Sequence, residues 1–193
     1  MGGRTASTTT GILIDGNRYS ALERFVYDRQ PDGDAGLDTR FAVWFQSSSE
    51  YSNYDFTKFL EPVERQGLGS AYYPEIPIMR LSEIYYIACE AQIGKDNALA
   101  LQYLNDVRNN RNLSLIQTVP DDATLLEYLV REMRKDFIGD GRTFLMHKRL
   151  FYDIYTVRGE TIPASDNIFV IPIPDDEYEF SGIEKPGNTT DNN

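Results

Sequence analysis

Residues Tyr72 to Arg111 read YYPEIPIMRLSEIYYIACEAQIGKDNALALQYLNDVRNNR. Pro74 and Pro77 keep the approach extended, because proline fixes its own φ and restricts the residue before it. Beyond them Leu81, Ile84, Tyr85, Ala88, Ala91 and Gln92 recur at three- and four-residue spacings, all apolar except Gln92. That period predicts a helix with this face turned inward. Gly94 ends the helix as a C-cap. Asp96 or Asn97 caps the next helix, which is expected to bury Leu99, Ala100, Tyr103, Leu104 and Val107. The small residues Ala88, Ala91, Ala98 and Ala100 let the two helices approach closely. The product is a tetratricopeptide-like helical hairpin, a single unit from which no repeat period can be measured.

A third helix follows. Asp121 or Asp122 can cap it, and Leu125, Leu126, Leu129, Val130, Met133 and Phe137 form an apolar stripe. Its polar face carries Glu127, Arg131, Glu132, Arg134, Lys135 and Asp136. Gly139-Asp140-Gly141 breaks this helix, and a short one is expected from Thr143 to Tyr152. Upstream, Thr5 to Gly69 is irregular. Short strands are expected at Gly11–Ile14, Arg24–Tyr27 and Arg40–Phe45, with a helix around Tyr19–Val26. Gln30–Asp38 and Ser47–Asp55 read as loops from their Pro, Gly, Asp, Ser and Asn content. Downstream, Asp153 to Asn193 is extended. Asn167–Pro174 (NIFVIPIP) reads as a buried strand, and DDEYE after it as a turn or short helix. The expected fold is mainly α, a helical hairpin with loop-rich segments and a few short strands. It forms one domain over residues 11–182. Residues 1–10 read as a disordered tail or appended residues, and 183–193 as a disordered tail.

A chain of 193 residues, 41% of them hydrophobic and 12% aromatic, can bury a sizeable core. The net charge of −11 repels a phosphate backbone and disfavours nucleic acid and anionic membranes as partners. Neutral ligands such as sugars meet no such penalty. One cysteine excludes an internal disulfide. No run approaches the roughly 18 apolar residues of a spanning helix. Met1–Thr10 lacks the apolar core of a signal peptide.

Little in the sequence supports catalysis. His147 is the only histidine, and no Ser or Cys sits in a nucleophile elbow. Cys89 lies inside the apolar IACEA and reads as a buried, inert side chain. One His and one Cys exclude a zinc site of the usual ligands. Asp32, Asp34 and Asp38 begin like a calcium loop, but Gly36, Leu37 and Val43 occupy its fifth, sixth and twelfth positions. The pairs Asp121/Asp122 and Asp175/Asp176 could serve glycoside hydrolysis. Adjacent carboxylates at a helix start are more simply caps. GDGR follows a helix and opens no phosphate loop. No cofactor or metal is implied. Aromatic residues are the remaining lead. Trp44, in RFAVWF, is expected to pack in a strand, while Tyr51 and Tyr54 lie in a polar loop. All three are candidate sugar-stacking residues, because exposed aromatic faces bind sugar rings by apolar contact while polar neighbours supply hydrogen bonds.

Four segments, in order, resemble proteins of the SusD/RagB family, surface nutrient-binding lipoproteins of Bacteroidetes. Ile76–Ala91 resembles an Arg-x-x-Glu helix, placing Arg80 and Glu83 as the matching residues. Ala98–Arg111 resembles an Ala-Leu-x-x-Leu-Asn-x-Val-Arg helix, with Asn105 and Arg108 at its characteristic places. Leu129–Leu150 resembles an Arg-rich helix, acidic Gly turn and Lys-Arg ending, here Lys148 and Arg149. Asn167–Gly182 is similar to a closing Pro-Ile-Pro segment. Thr143 and Met146 depart from the commoner Arg and Asp after the turn, which sets the chain apart from the subgroup nearest the starch-binding prototype. The resemblance implies a partial SusD-like α/α superhelix and binding of an oligosaccharide or other nutrient. It also implies hand-off to a SusC-like TonB-dependent transporter at the outer membrane. A full-length relative would carry a signal peptide and a lipidated cysteine. Arg80, Glu83, Asn105, Arg108, Lys148 and Arg149 are family-motif positions, and the charged ones are expected to hold helices and carbonyls together. A protein-interaction scaffold and a carboxylate-dependent hydrolase are the alternatives.

Overall fold

The computed structural model describes residues 12–22, 26–27, 38–47, 53–59, 78–156 and 158–180. At one end is a small antiparallel sheet of β1 (Ile12–Asp15), β2 (Phe45–Ser47) and β3 (Asn53–Phe56), in the order β1-β3-β2. Ile12 and Phe45 both register with Phe56, and Asp15 with Asn53. Helices α1 (Gly16–Leu22) and α2 (Thr39–Trp44) accompany it. Leu22, Tyr27, Phe45 and Phe56 form its core, joined by Tyr19, Phe41, Trp44 and Phe59. Successive rings meet at tilted or edge angles, for instance Phe41–Phe45 and Phe45–Phe56, both 5.1 Å apart, the arrangement that aromatic quadrupoles favour.

The helical body holds α3 (Leu81–Gln92), α4 (Asn97–Asn109), α5 (Asp122–Asp136) and α6 (Arg142–Leu150). Helices α3 and α4 form the expected hairpin. Gly94 sits between them at φ +76°, where a non-glycine residue would be strained. Asp96 caps α4 by accepting from Leu99 N at 3.0 Å, and Asp121 caps α5 through Thr124 N at 2.8 Å. Tyr86, Cys89, Leu104, Leu125 and Leu129 lie at the centre of the core, which also takes in Val107, Val130, Met133, Phe137 and Met146. Gly139 and Gly141 turn the chain into α6 at φ +78° and +72°. A Cβ on Gly139 would stand 2.8 Å from the Phe56 ring, so the turn presses directly on the sheet. A two-stranded ribbon, β4 (Ile154–Tyr155) with β5 (Thr161–Ile162), and two short helices, α7 (Asp166–Phe169) and α8 (Asp175–Phe180), follow.

Several expectations are corrected. Arg40–Phe45 is mostly helix, because the Asp38 carboxylate caps α2 by accepting from Arg40 N at 3.0 Å. Asn53–Asp55, expected in a loop, belongs to the central strand β3, where main-chain pairing on both edges outweighs polar composition. Asn167–Pro174 is one helical turn and then an exposed segment. Pro172 and Pro174 lack the donor a strand needs. Of its apolar residues only Phe169 is buried, against Phe144 and Phe151. The inward face of α3 is Ser82, Tyr86 and Cys89, not the one containing Leu81, Ile84 and Ala91. On α5, Glu132, Lys135 and Asp136 are buried instead of solvated. The last two corrections share a cause, described next. The Arg24–Tyr27 strand, the Gln30–Asp38 loop except Asp38, and both tails fall wholly or largely outside the described residues.

Candidate functional site

Arg40 lies at the junction of the sheet end and the helical body, 2% exposed. It uses every donor of its guanidinium. Nε and Nη2 grip the two Asp38 oxygens at 2.9 and 2.7 Å. Nη2 also reaches Glu132 Oε2 at 2.6 Å, while Nη1 reaches Asp136 Oδ1 at 3.0 Å and the Glu132 carbonyl at 3.4 Å. Glu132 Oε1 accepts from Arg108 Nη1 at 3.0 Å and Lys135 Nζ at 2.9 Å. Tyr86 donates its hydroxyl to Asp136 Oδ2 at 2.6 Å. Three buried cations, Arg40, Arg108 and Lys135, thus face three buried carboxylates, Asp38, Glu132 and Asp136. Charges can be buried only when paired and hydrogen-bonded in this way. Burial alone would raise the Glu132 pKa, yet Lys135, Arg40 and Arg108 hold it down at about 2. Tyr86 reaches Asp136, and this turns α3 away from the inward face that its apolar spacing favours.

A second cation set closes the C-terminal end of α5. Lys58 Nζ donates to the carbonyls of Asp136 and Ile138, at 2.5 and 2.7 Å, and pairs with Asp140 at 2.9 Å. Arg80 donates to the same Asp136 carbonyl and to Asp140, both at 3.3 Å. A helix end presents orphan carbonyls and partial negative charge, so two cations there satisfy both demands. Lys58 also sits 4.6 Å above the Trp44 ring. Burial lowers its pKa to about 8 despite the Asp140 hydrogen bond.

The other motif positions are placed as follows. Asn105 clamps Ile116 from both sides, donating to its carbonyl and accepting from its N–H, each at 3.0 Å. Arg108 also binds the Ser114 carbonyl at 2.7 Å. Together they shape the segment between α4 and α5. Glu83 is bound by Arg142, which also donates to the Ile78 carbonyl. Arg149 grips Glu90 with two bonds of 2.5 and 2.7 Å, and Lys148 is exposed. Arg80 and Glu83, three residues apart, therefore serve different partners. Asp38, Arg40, Glu132 and Asp136 were missed as site residues. Nothing in the local sequence marks Arg40, 92 positions from Glu132, as its partner.

Of the aromatic candidates, Trp44 is half-buried beneath Lys58, and Tyr54 is half-buried and stacked on Tyr19, centroids 3.5 Å apart at 7°. Tyr51 lies outside the described residues. His147 is buried, its Nδ1 3.3 Å from the Tyr152 carbonyl, and burial lowers its pKa. Burial pushes the Cys89 thiol up to about 12, which makes it a poor nucleophile. Asp122 accepts from Asn97 at 2.7 Å, so the Asp121/Asp122 pair is engaged in holding helix starts. Among the described residues no group of three or more His, Cys, Asp or Glu side chains could hold a metal ion. No described helix is long and apolar enough to cross a membrane.

Between α3 and α6 runs an open groove of about 490 Å³. Glu83, Ile87, Glu90 and Ala91 line one wall, Arg142, Leu145, Met146 and Arg149 the other, and Met133 and Phe137 also line it. The Glu83–Arg142 and Glu90–Arg149 pairs bridge the two walls.

The fold and this chemistry define a helical-hairpin protein whose charged residues mostly hold the molecule together. The SusD family model matches residues 15–178, and the chain belongs to that family. Among solved structures it is similar to a SusD-like carbohydrate binding protein from Bacteroides vulgatus, with 18% identity and a TM-score of 0.58. The alignment covers 91% of this chain and 43% of that one, so the chain spans less than half the length of the structure it matches. Comparison with curated proteins returned no match.

Proposed function

We propose that the chain is part of a nutrient-binding protein of the bacterial cell surface, which takes up a glycan and delivers it to a SusC-like TonB-dependent transporter in the outer membrane. It binds and does not catalyse. The observation that carries this is the SusD family match over residues 15–178. The similarity to a protein described as carbohydrate binding supports a sugar as the ligand class. Glu132 and Asp136 are buried in ion pairs with Arg40, out of reach of a substrate, which supports binding over a hydrolase that would use them. Trp44, Tyr51 and Tyr54 are the proposed ligand contacts. Trp44 and Tyr54 are each only half-buried, which leaves part of each ring open to a ligand and supports this for those two.

A glycan array tests the reading. The protein is expected to retain at least one oligosaccharide, and Tyr51→Ala/Tyr54→Ala is expected to weaken that binding at least tenfold. Undiminished binding by the double variant would remove these tyrosines from the site. Failure of the protein to bind any glycan would remove the sugar. Co-purification of a β-barrel transporter from the host outer membrane tests the partner.

A further inference from the structure

Helices α4 and α5 are joined by residues 110–121, which form no helix or strand. The connection is longer than the roughly two to eight residues that usually join packed helices, and long ordered connections tend to carry function. This one is tied down along its length. Leu113 N donates to the Arg108 carbonyl at 3.0 Å, and Arg108 donates to the Ser114 carbonyl through Nε at 3.0 Å and Nη2 at 2.7 Å. Asn105 clamps Ile116 from both sides. Asn97 donates to the Pro120 carbonyl at 3.3 Å, and Asp121 then caps α5. These anchors hold backbone atoms of residues 113, 114, 116 and 120. Leu115, Gln117 and Thr118, set between them, carry exposed side chains.

Those side chains and the start of α5 surround a hollow of about 500 Å³. Small-ligand sites commonly measure roughly 300–1,000 Å³. Leu115 and Ile116 line it with apolar carbon, while Gln117, Thr118 and Thr124 bring an amide and two hydroxyls. Tyr128 completes it. Its side chain packs against the main core yet stays half-buried, so part of the ring is open. An aromatic ring beside neutral donors and acceptors suits a sugar, which is apolar on its C–H faces and polar at its edge. The charged members of the lining have other work. Arg108 is buried and holds Ser114 and Glu132, and Asp121 accepts from Thr124 as the α5 cap.

We propose that this hollow is a second glycan subsite, which takes one neutral pyranose unit stacked on Tyr128 and hydrogen-bonded by Gln117, Thr118 and Thr124. It shares no residue with the Trp44, Tyr51 and Tyr54 contacts, so it engages a different unit of a long glycan or another glycan molecule. The proposal rests on the reading of the protein as a glycan binder. Asn105 and Arg108 act here as positioning residues. They fix the backbone that presents Gln117 and Thr118, so little ordering remains to be done when the sugar binds.

Protein-observed NMR with methyl α-glucoside, methyl α-galactoside and methyl α-mannoside tests it. At least one of them is expected to shift the resonances of Gln117, Thr118, Thr124 and Tyr128 in a saturable way. Gln117→Ala/Thr118→Val, at two exposed positions, is expected to weaken that binding at least fivefold and to keep the Tm within about 2 °C. The corresponding uronide is expected to bind more weakly than the neutral glycoside. No saturable shift at these residues, undiminished binding by the double variant, or a uronide bound as tightly as its neutral counterpart would each overturn the proposal. Shifts confined to Trp44 and Tyr54 would overturn it and leave the glycan reading standing. A blank glycan array with no shift anywhere would remove both.

Discussion

Helices α3 and α5 invert the usual rule in opposite ways. Helix α5 buries Glu132, Lys135 and Asp136, three charges within about one turn that its sequence shows as a polar face. Helix α3 leaves Leu81, Ile84 and Ile87 in water, although its sequence shows them as apolar. The two are linked. The carboxylates of α5 need donors, and Tyr86 of α3 supplies one at 2.6 Å. Turning Tyr86 inward turns the aliphatic row outward. A polar requirement at the junction has therefore created an apolar surface on the far side of the same helix.

Breaking the charged half of this comparison should have the largest effect. Arg40→Met leaves the Asp38, Glu132 and Asp136 carboxylates short of their common partner. Denaturant unfolding should show a loss of about 3–5 kcal/mol, the usual result of stranding buried charge. A loss below about 1 kcal/mol would mean that the cluster does not join the two ends.

Acid should undo the same cluster next. The folded pKa of Glu132 is about 2, below its ordinary 4.5, because Lys135, Arg40 and Arg108 overcome burial. Asp136 is also lowered, with Arg40 and Arg111 prevailing over burial. The unfolded chain thus binds protons that the folded one refuses. The stabilisation is complete above the unfolded value and lost as pH falls from about 4.5 towards about 2. Unfolding followed from pH 6 to pH 2 should show this slope, and Glu132→Gln should flatten it.

The Gly139 turn sharpens the comparison by testing contact without charge. Gly139→Ala puts a methyl against Phe56 at a positive φ, and should cost about 1–3 kcal/mol in thermal or denaturant unfolding. The smallest effect belongs to the apolar half. Ile87→Ser in this chain should change stability by no more than about 0.5 kcal/mol, because the side chain is already in water. A large loss would show that the groove is closed in solution.

Much of the helical body was legible. The α3–α4 hairpin, its Gly94 turn, the caps at Asp96 and Asp121, and the Gly-Asp-Gly break all depend on residues within a few positions of each other. Local capping and backbone rules therefore reach them. The family was legible for the same reason, since its motifs are short and ordered. The sheet end was not. Strand β3 reads as a loop because its polar residues are paired by main-chain bonds to β1 and β2, which composition does not record. Asp38 looked like a turn residue and is a cap and an ion-pair partner.

By itself, the sequence determined where the helices α3 to α6 start and stop, and which family the chain resembles. Only the tertiary structure decided which face of each helix is inside. Helical periodicity is nearly satisfied by a rotation of one residue, so Leu81/Ile84/Ala91 and Ser82/Tyr86/Cys89 are equally regular on α3. The choice fell to Arg40, Glu132 and Asp136, brought together from 92 and 96 positions apart. A buried charge tolerates almost no misplacement, whereas an exposed isoleucine tolerates a great deal.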